Sequence, residues 1–175
     1  KKKFHVIGLS NLELKRHHEV ITKFYQKKFD DWYDIIDYND EELLEFVRSL
    51  NLDILIDLNG FTFGNRLNIF AARSAKKQIG WCGYNNSLGI KNMDYLIADK
   101  NLIKKDEEKY YKEKIIYMPK IWNVMSKPEN LPEINDLPFK KNDIFKFGSF
   151  NSFKKISDDV IRVWSKIINN SNCEL

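Results

Sequence analysis

The order of apolar patterns along the chain predicts an α/β protein built on parallel sheets. Three observations carry that prediction. Short β-branched or aromatic runs alternate with stretches of helical apolar spacing; one such run is almost continuously apolar and ends in a Gly-containing polar loop; and the alternation restarts after a proline-bearing segment. Parallel strands need crossover connections, and the helical stretches between the runs are long enough to supply them.

Phe4 to Leu9 reads as a first strand, and Leu12 to Phe29 as a helix whose apolar positions Val20, Ile21, Phe24 and Tyr25 share one face, with a wet face opposite. Trp32 to Ile36 is a second short strand. Asn39 then stands where an N-cap is needed, with Glu42 three residues on to complete a capping box. The helix that follows buries Leu43, Leu44, Phe46, Val47 and Leu50. Residues 53 to 59, DILIDLN, suit a central parallel strand covered on both faces and stopped at Asn59-Gly60. Arg66 to Arg73 reads as a short helix, Gln78 to Trp81 and Tyr95 to Ala98 as strands, Glu107 to Lys112 as helical, and IIYMP at 115 to 119 as a strand.

All four prolines fall in PKIWNVMSKPENLPEINDLP, residues 119 to 138, where periodicity is lost and turn-formers accumulate. We therefore expect a first α/β lobe over 1–118, a connecting segment over 119–143, and the start of a second lobe over 144–175. In that second lobe Phe145 to Phe150 reads as a strand and Ser157 caps a helix with Asp158 and Asp159 in its first turn. Its apolar face is Val160, Ile161, Val163, Trp164, Ile167 and Ile168, and SNCEL at the end opens a further strand, the pattern of a doubly wound sheet. The sequence starts as if inside a strand and stops as another begins, so both ends read as cut.

Composition narrows the function classes. A net charge of +4, from 29 basic and 25 acidic residues dispersed along the chain, gives no nucleic-acid footprint. Cys82 and Cys173 show no ligand spacing and no disulfide framework, which fits a reducing, cytoplasmic setting. No run approaches the roughly 18 to 20 apolar residues that span a bilayer, so no membrane partner is expected. His5, His17 and His18 form no metal-ligand spacing, and no metal site is expected. The seven glycines supply neither a dinucleotide fingerprint nor a P-loop.

What remains is three loops. DLNGFTFGNR, residues 57 to 66, sets small and polar residues at the carboxyl end of an apolar strand, where open α/β sheets bind ligands. Its glycines equally suit a plain strand-to-helix connection. GWCGYNNSLG, residues 80 to 89, is a second candidate lining. GSFNSFKKIS, residues 148 to 157, joins a strand to a helix N-terminus, where amide hydrogens and a lysine attract phosphate. Spacing alone leaves open whether Lys154 or Lys155 does so, or whether both are merely solvated. Asp53, Asp57, Asp94 and Asp99 at strand ends are base candidates by type, but capping of turns and helices is the plainer reading.

The run DILIDLNGFTFGNRLNIFAARSAKKQIGWCGYNNSLGIKNMDYLIAD, residues 53 to 99, resembles the corresponding stretch of the O-linked N-acetylglucosamine transferases of the SPINDLY type, glycosyltransferase family 41. EEKYYKEKIIYMP, 107 to 119, and FGSFNSFKKIS, 147 to 157, resemble two later blocks of that family in the same order and spacing. The resemblance implies two Rossmann-like lobes of the GT-B type, of which this chain carries most of the first and the start of the second. It implies an inverting, metal-independent transfer of N-acetylglucosamine, or another hexose, from a UDP-sugar to Ser or Thr hydroxyls of proteins, with no cofactor beyond the donor substrate UDP-N-acetylglucosamine.

By the same resemblance Lys155 is the catalytic, diphosphate-stabilising residue, and Asn151 and Ser152 lie beside the nucleotide. Gly60, Thr62, Gly64, Gly83, Tyr84 and Gly89 line the acceptor side. Partners are then a UDP-sugar and a protein or peptide acceptor, with upstream helical repeats in the whole protein, and this stretch by itself is too incomplete to turn over. Ser74 stands where the family has proline, and Asn85-Asn86-Ser87 where it has Pro-Gly-Thr. Those replacements keep a second expectation open, a non-catalytic α/β binding or scaffold module derived from such a lobe.

Overall fold

In a computed structural model the described residues are 3–12, 19–124, 131–136 and 144–174. His17, His18, Pro128, Pro138 and the opening of the expected first helix lie outside them. The chain divides into two compact units, Lys1–Met125 and Ser126–Leu175.

The first unit holds two parallel sheets. Strands β1 (Ile7–Ser10) and β2 (Asp31–Asp34) pair from Ile7 with Asp31 to Ser10 with Asp34, with helix α1 (Glu19–Gln26) in the connection. Helix α2 (Asp40–Ser49) then leads to a four-stranded sheet of β3 (Ile54–Asp57), β4 (Lys77–Gly80), β5 (Tyr95–Ala98) and β6 (Lys114–Tyr117), in that order. Helix α3 (Leu67–Ala71) joins β3 to β4. Every pairing among the described strands is parallel, as the alternation of patterns predicts. The expected helix at 107 to 112 is a 3-10 helix, Lys105–Tyr110.

Helix α2 shows why local sequence was sufficient there. The Asn39 side chain accepts from the amides of Glu41 and Glu42, each at 3.0 Å, and the Glu42 carboxylate accepts from the Asn39 amide at 3.0 Å. Asn51, just past the helix, takes the left-handed conformation at φ 47°, which asparagine tolerates better than most residues. Leu43 and Val47, one turn apart, are fully buried against Ile35, Leu55, Leu67 and Phe70. Each such side chain contributes about 1.5–3 kcal/mol on leaving water.

Two expectations about burial need correction. Among the described strands β3 is not central: it lies at the edge of its sheet, with Leu55 and Asp57 buried but Ile54 and Ile56 about half exposed. On α1, Val20, Ile21, Phe24 and Tyr25 are exposed, whereas Thr22 is buried. Periodicity identifies residues that share a face; whether anything covers that face is a property of the assembled chain.

In the second unit, β7 (Phe145–Lys146) pairs with β8 (Cys173–Glu174), and α4 (Asp158–Asn169) lies between them in sequence. Strand β7 is shorter than expected because residues 147–150 leave the ladder after the Phe147 amide bonds the Glu174 carbonyl at 2.8 Å. Ser157 caps α4, accepting from the Val160 amide at 3.4 Å, but no residue of the helix is buried.

Candidate functional site

Two loops leave the carboxyl ends of β3 and β4 and pack on each other. Asp57, the last residue of β3, accepts from the amides of Asn59 at 3.1 Å and Gly60 at 2.8 Å, which turns the chain sharply. Burial pushes the Asp57 carboxyl above its usual value, against the lowering effect of those two amides. Gly60 has φ +56°, and a Cβ there would fall 2.0 Å from the Cβ of Tyr84. Gly83 abuts the main chain of Leu58 and Asn59. Only residues without side chains allow so close an approach.

The first loop is bonded along its length. Thr62 Oγ1 lies 2.6 Å from Asn59 Oδ1 and 2.8 Å from the Asn59 carbonyl, and Asn65 donates to the Thr62 carbonyl at 3.0 Å. The Phe61 ring meets Tyr84 edge to face at 5.5 Å, and Phe63 is fully exposed. Gly60, Thr62, Gly64, Gly83 and Tyr84 are thereby brought to one end of the sheet. Gly89 is not among them. The amide of Gly89 bonds Ser87 Oγ at 3.1 Å; Ser87 Oγ donates to Glu113 at 2.7 Å, and Glu113 immediately precedes β6, so this end of the loop lies at the entering edge of the strands.

The strand-end carboxylates are spent on structure. Asp53 pairs with Lys76 at 2.7 Å. Asp94 takes both terminal nitrogens of Arg73, at 2.6 and 3.1 Å, and the Gln78 amide at 2.8 Å; the guanidinium first, and that amide with it, hold its carboxyl below the ordinary range. Asp99 accepts from Asn101, Leu102 and Trp122 amides, with the Leu102 contact the largest cause of its lowered pKa. The carbonyl of Trp122 also receives the Trp81 indole at 2.7 Å, so the chain leaving β6 is pinned beside the loop that begins at Trp81. A cavity of about 340 Å³ lined by Arg48, Arg73 and Lys76 lies at the opposite, entering end of β3 and β4. Its cations are engaged by the Ala72 carbonyl, Asp94 and Asp53 respectively.

Sequence reasoning passed over three side chains that shape these loops. Arg66 and Asn11 hold the first loop, and Glu113, which is 4% exposed, clasps Ser87 and the Leu88 amide. Nothing in their spacing sets them apart, because each acts on a partner at least 25 residues away. Ser74, by contrast, explains its own presence where the family has proline: its amide and hydroxyl bond Gln78 Oε1 and the Ile69 carbonyl, both at 3.0 Å.

In the second unit Asn151, Ser152, Lys154 and Lys155 are all exposed on the corner between β7 and α4. Residues 153 to 155 form a 3-10 turn closed by the Lys155 amide on the Ser152 carbonyl at 2.9 Å. No apolar side chain plugs the corner among the described residues: Phe150 and Phe153 project into solvent at 105% and 83% exposure. Neither lysine forms an ion pair among the described residues, whereas Asp159 in the first turn of α4 is engaged by Arg162 at 3.0 Å. The same residues include no cluster fit to hold a metal ion and no helix long and apolar enough to cross a membrane.

Parallel sheets with polar, glycine-bearing loops at their carboxyl ends define a Rossmann-like α/β protein. The chain belongs to glycosyl transferase family 41, whose model matches residues 26–143. It is 32% identical over 142 residues to a SPINDLY protein of Eustoma exaltatum subsp. russellianum, named a probable UDP-N-acetylglucosamine–peptide N-acetylglucosaminyltransferase, covering 81% of this chain and 16% of that protein. The SPINDLY protein of Arabidopsis thaliana is 31% identical over the same span, with the same coverage. Among solved structures, a point mutant of the Thermobaculum terrenum O-GlcNAc transferase superposes with a TM-score of 0.80 at 29% identity, covering 94% of this chain and 30% of that one. The chain thus spans about a sixth of the curated relatives it matches.

Proposed function

We propose that this chain supplies the acceptor-side loops and the diphosphate corner of an enzyme that transfers N-acetylglucosamine from UDP-N-acetylglucosamine to protein Ser or Thr hydroxyls. Family membership and the names of the relatives support the reaction class. The observation that carries the site is the open corner at residues 151 to 155, with two lysines that form no ion pair among the described residues just before a capped helix. In this reading the acceptor hydroxyl oxygen bonds to the anomeric carbon and releases its proton to water, the bond from that carbon to the diphosphate oxygen breaks with inversion, and the charge gathering on the departing diphosphate is met by Lys155 and loop amides in place of a metal. Asn151 and Ser152 hold the nucleotide beside it. Gly60, Thr62, Gly64, Gly83 and Tyr84 shape the acceptor side: Gly60 and Gly83 let the two loops close on each other, and Gly64, with nothing nearer to an added Cβ than Asn11 Nδ2 at 3.9 Å, leaves room beside the loop. Two free thiols, Cys82 exposed and Cys173 half-buried, suit a cytoplasmic protein.

The test is Lys155→Ala in the native polypeptide, with Lys154→Ala beside it. Turnover is expected to fall roughly a hundredfold for the first and much less for the second, by the usual cost of losing one transition-state charge stabiliser. Equal turnover in Lys155→Ala and the parent ends the assignment. Failure of the parent to bind UDP in a calorimetric titration favours the non-catalytic module instead.

A further inference from the structure

Strands β1 and β3 belong to separate hydrogen-bonded sheets, so no ladder among the described residues fixes the carboxyl end of one against that of the other. A chain of side-chain hydrogen bonds does so. Arg66 ends the loop that follows β3, and its side chain is 20% exposed. Its Nε donates to Asn11 Oδ1 at 3.1 Å, Nη1 pairs with Asp40 at 3.1 Å, and Nη2 donates to the carbonyls of Ile35 at 3.3 Å and Ile36 at 3.2 Å. Asn11, immediately after β1, uses its other end: Nδ2 donates to the Gly64 carbonyl at 2.6 Å. Asn68 also donates to Asp40, and these contacts hold the Asp40 carboxylate ionised, Asn68 contributing most and Arg66 next.

We infer that Asn11 and Arg66 are positioning residues for the acceptor-side loop, acting through the Gly64 carbonyl; the functional half of this inference rests on the acceptor reading above. The planar fork of an arginine reaches four acceptors in fixed directions, where a lysine supplies one point charge. Because Asn11 turns its amide end to the loop and its carbonyl end to Arg66, the loop is tied to the end of β1 through Asn11 and to the β2–α2 junction through Arg66. Thr62 and the exposed Phe63 are therefore presented in one arrangement before any acceptor arrives, which spares the ordering cost on binding. A loop ordered only when substrate binds would need no such relay.

Asn11→Asp separates the two ends of the relay, since it keeps an acceptor for Arg66 Nε but sets a carboxylate oxygen against the Gly64 carbonyl. In this chain the Asn65 amide, which shares a peptide with that carbonyl, is expected to exchange its hydrogen at least about tenfold faster, with β4 and β5 amides unchanged. Arg66→Lys is expected to accelerate Asn65 as well and to add the amides of Ile36 and Asp37, whose peptides carry the other two carbonyls. Unchanged exchange at Asn65 in both variants, or acceleration spread evenly over the sheets, overturns the relay. In the native polypeptide Asn11→Asp is expected to raise the acceptor KM about fivefold or more and leave the KM for UDP-N-acetylglucosamine unchanged. Faster Asn65 exchange with unaltered acceptor kinetics refutes the acceptor reading and with it the functional role, while the mechanical relay stands.

Discussion

Replacing Gly83 by alanine asks whether the two strand-end loops pack main chain to main chain. An ideal Cβ at this position falls 1.8 Å from the Leu58 carbonyl oxygen, 2.4 Å from its carbon and 2.8 Å from Asn59 Cα. Ordinary van der Waals contact begins at 3.4 Å, so the loops must part by about 1.6 Å. All three neighbours are backbone, which has no rotamer to escape into, and Asn59 is already held by Asp57 and Thr62. The cost should therefore reach the upper end of the overpacking range, about 3 kcal/mol. Gly89→Ala is the control: its φ of +65° penalises any side chain, but nothing lies within 4 Å of the added carbon, so it should cost only about 1 kcal/mol. Urea unfolding followed by tryptophan fluorescence, in a Trp164→Phe background so that Trp32, Trp81 and Trp122 report the first unit, resolves the difference. With an m-value of about 1–3 kcal/mol/M, the midpoint should drop by roughly 1 M or more for Gly83→Ala. A loss no greater than that of Gly89→Ala refutes the close packing of the loops.

Cys82 sits at φ 70° in a tight turn closed by the Gly83 amide on the Trp81 carbonyl, so Cys82→Gly should stabilise the first unit by up to about 1 kcal/mol, read as a raised urea midpoint. Leu43→Ala empties a fully buried position and should cost about 2–5 kcal/mol in the same measurement; less than 1 kcal/mol contradicts the packing of α2 on β3. Acid titration separates two of the strand-end carboxylates. Arg73 lowers the Asp94 carboxyl, so that residue's contribution is complete above the unfolded value, about 3.9, and disappears as pH falls through its lower folded value; Asp94→Asn should flatten the acid limb of thermal melts. Asp57 is raised by burial and has the opposite sign: its contribution is present below the unfolded value and lost as pH rises through the folded one. Carboxyl NMR should accordingly find Asp57 titrating above Asp94, and the reverse order contradicts both assignments.

The sequence alone determined the elements and the family. The capping box at Asn39 and Glu42, the strand at Tyr95–Ala98 and the serine cap of α4 follow from contacts within a few residues, where local chemistry decides. Motif order placed Gly60 to Gly64 after a strand, because glycine and polar residues stop an apolar run wherever it folds. Only the tertiary structure decided what covers what. The apolar faces of α1 and β3 are legible as faces, yet their exposure depends on neighbours that no periodicity encodes. It likewise put Gly89 with Ser87 and Glu113 at the entering edge of the strands, and it gave Asn11 and Arg66 their roles. Hydrogen bonds across 25 to 55 residues reward a geometry that exists only once the sheets are assembled, so the residues that make them leave no mark on the pattern beforehand.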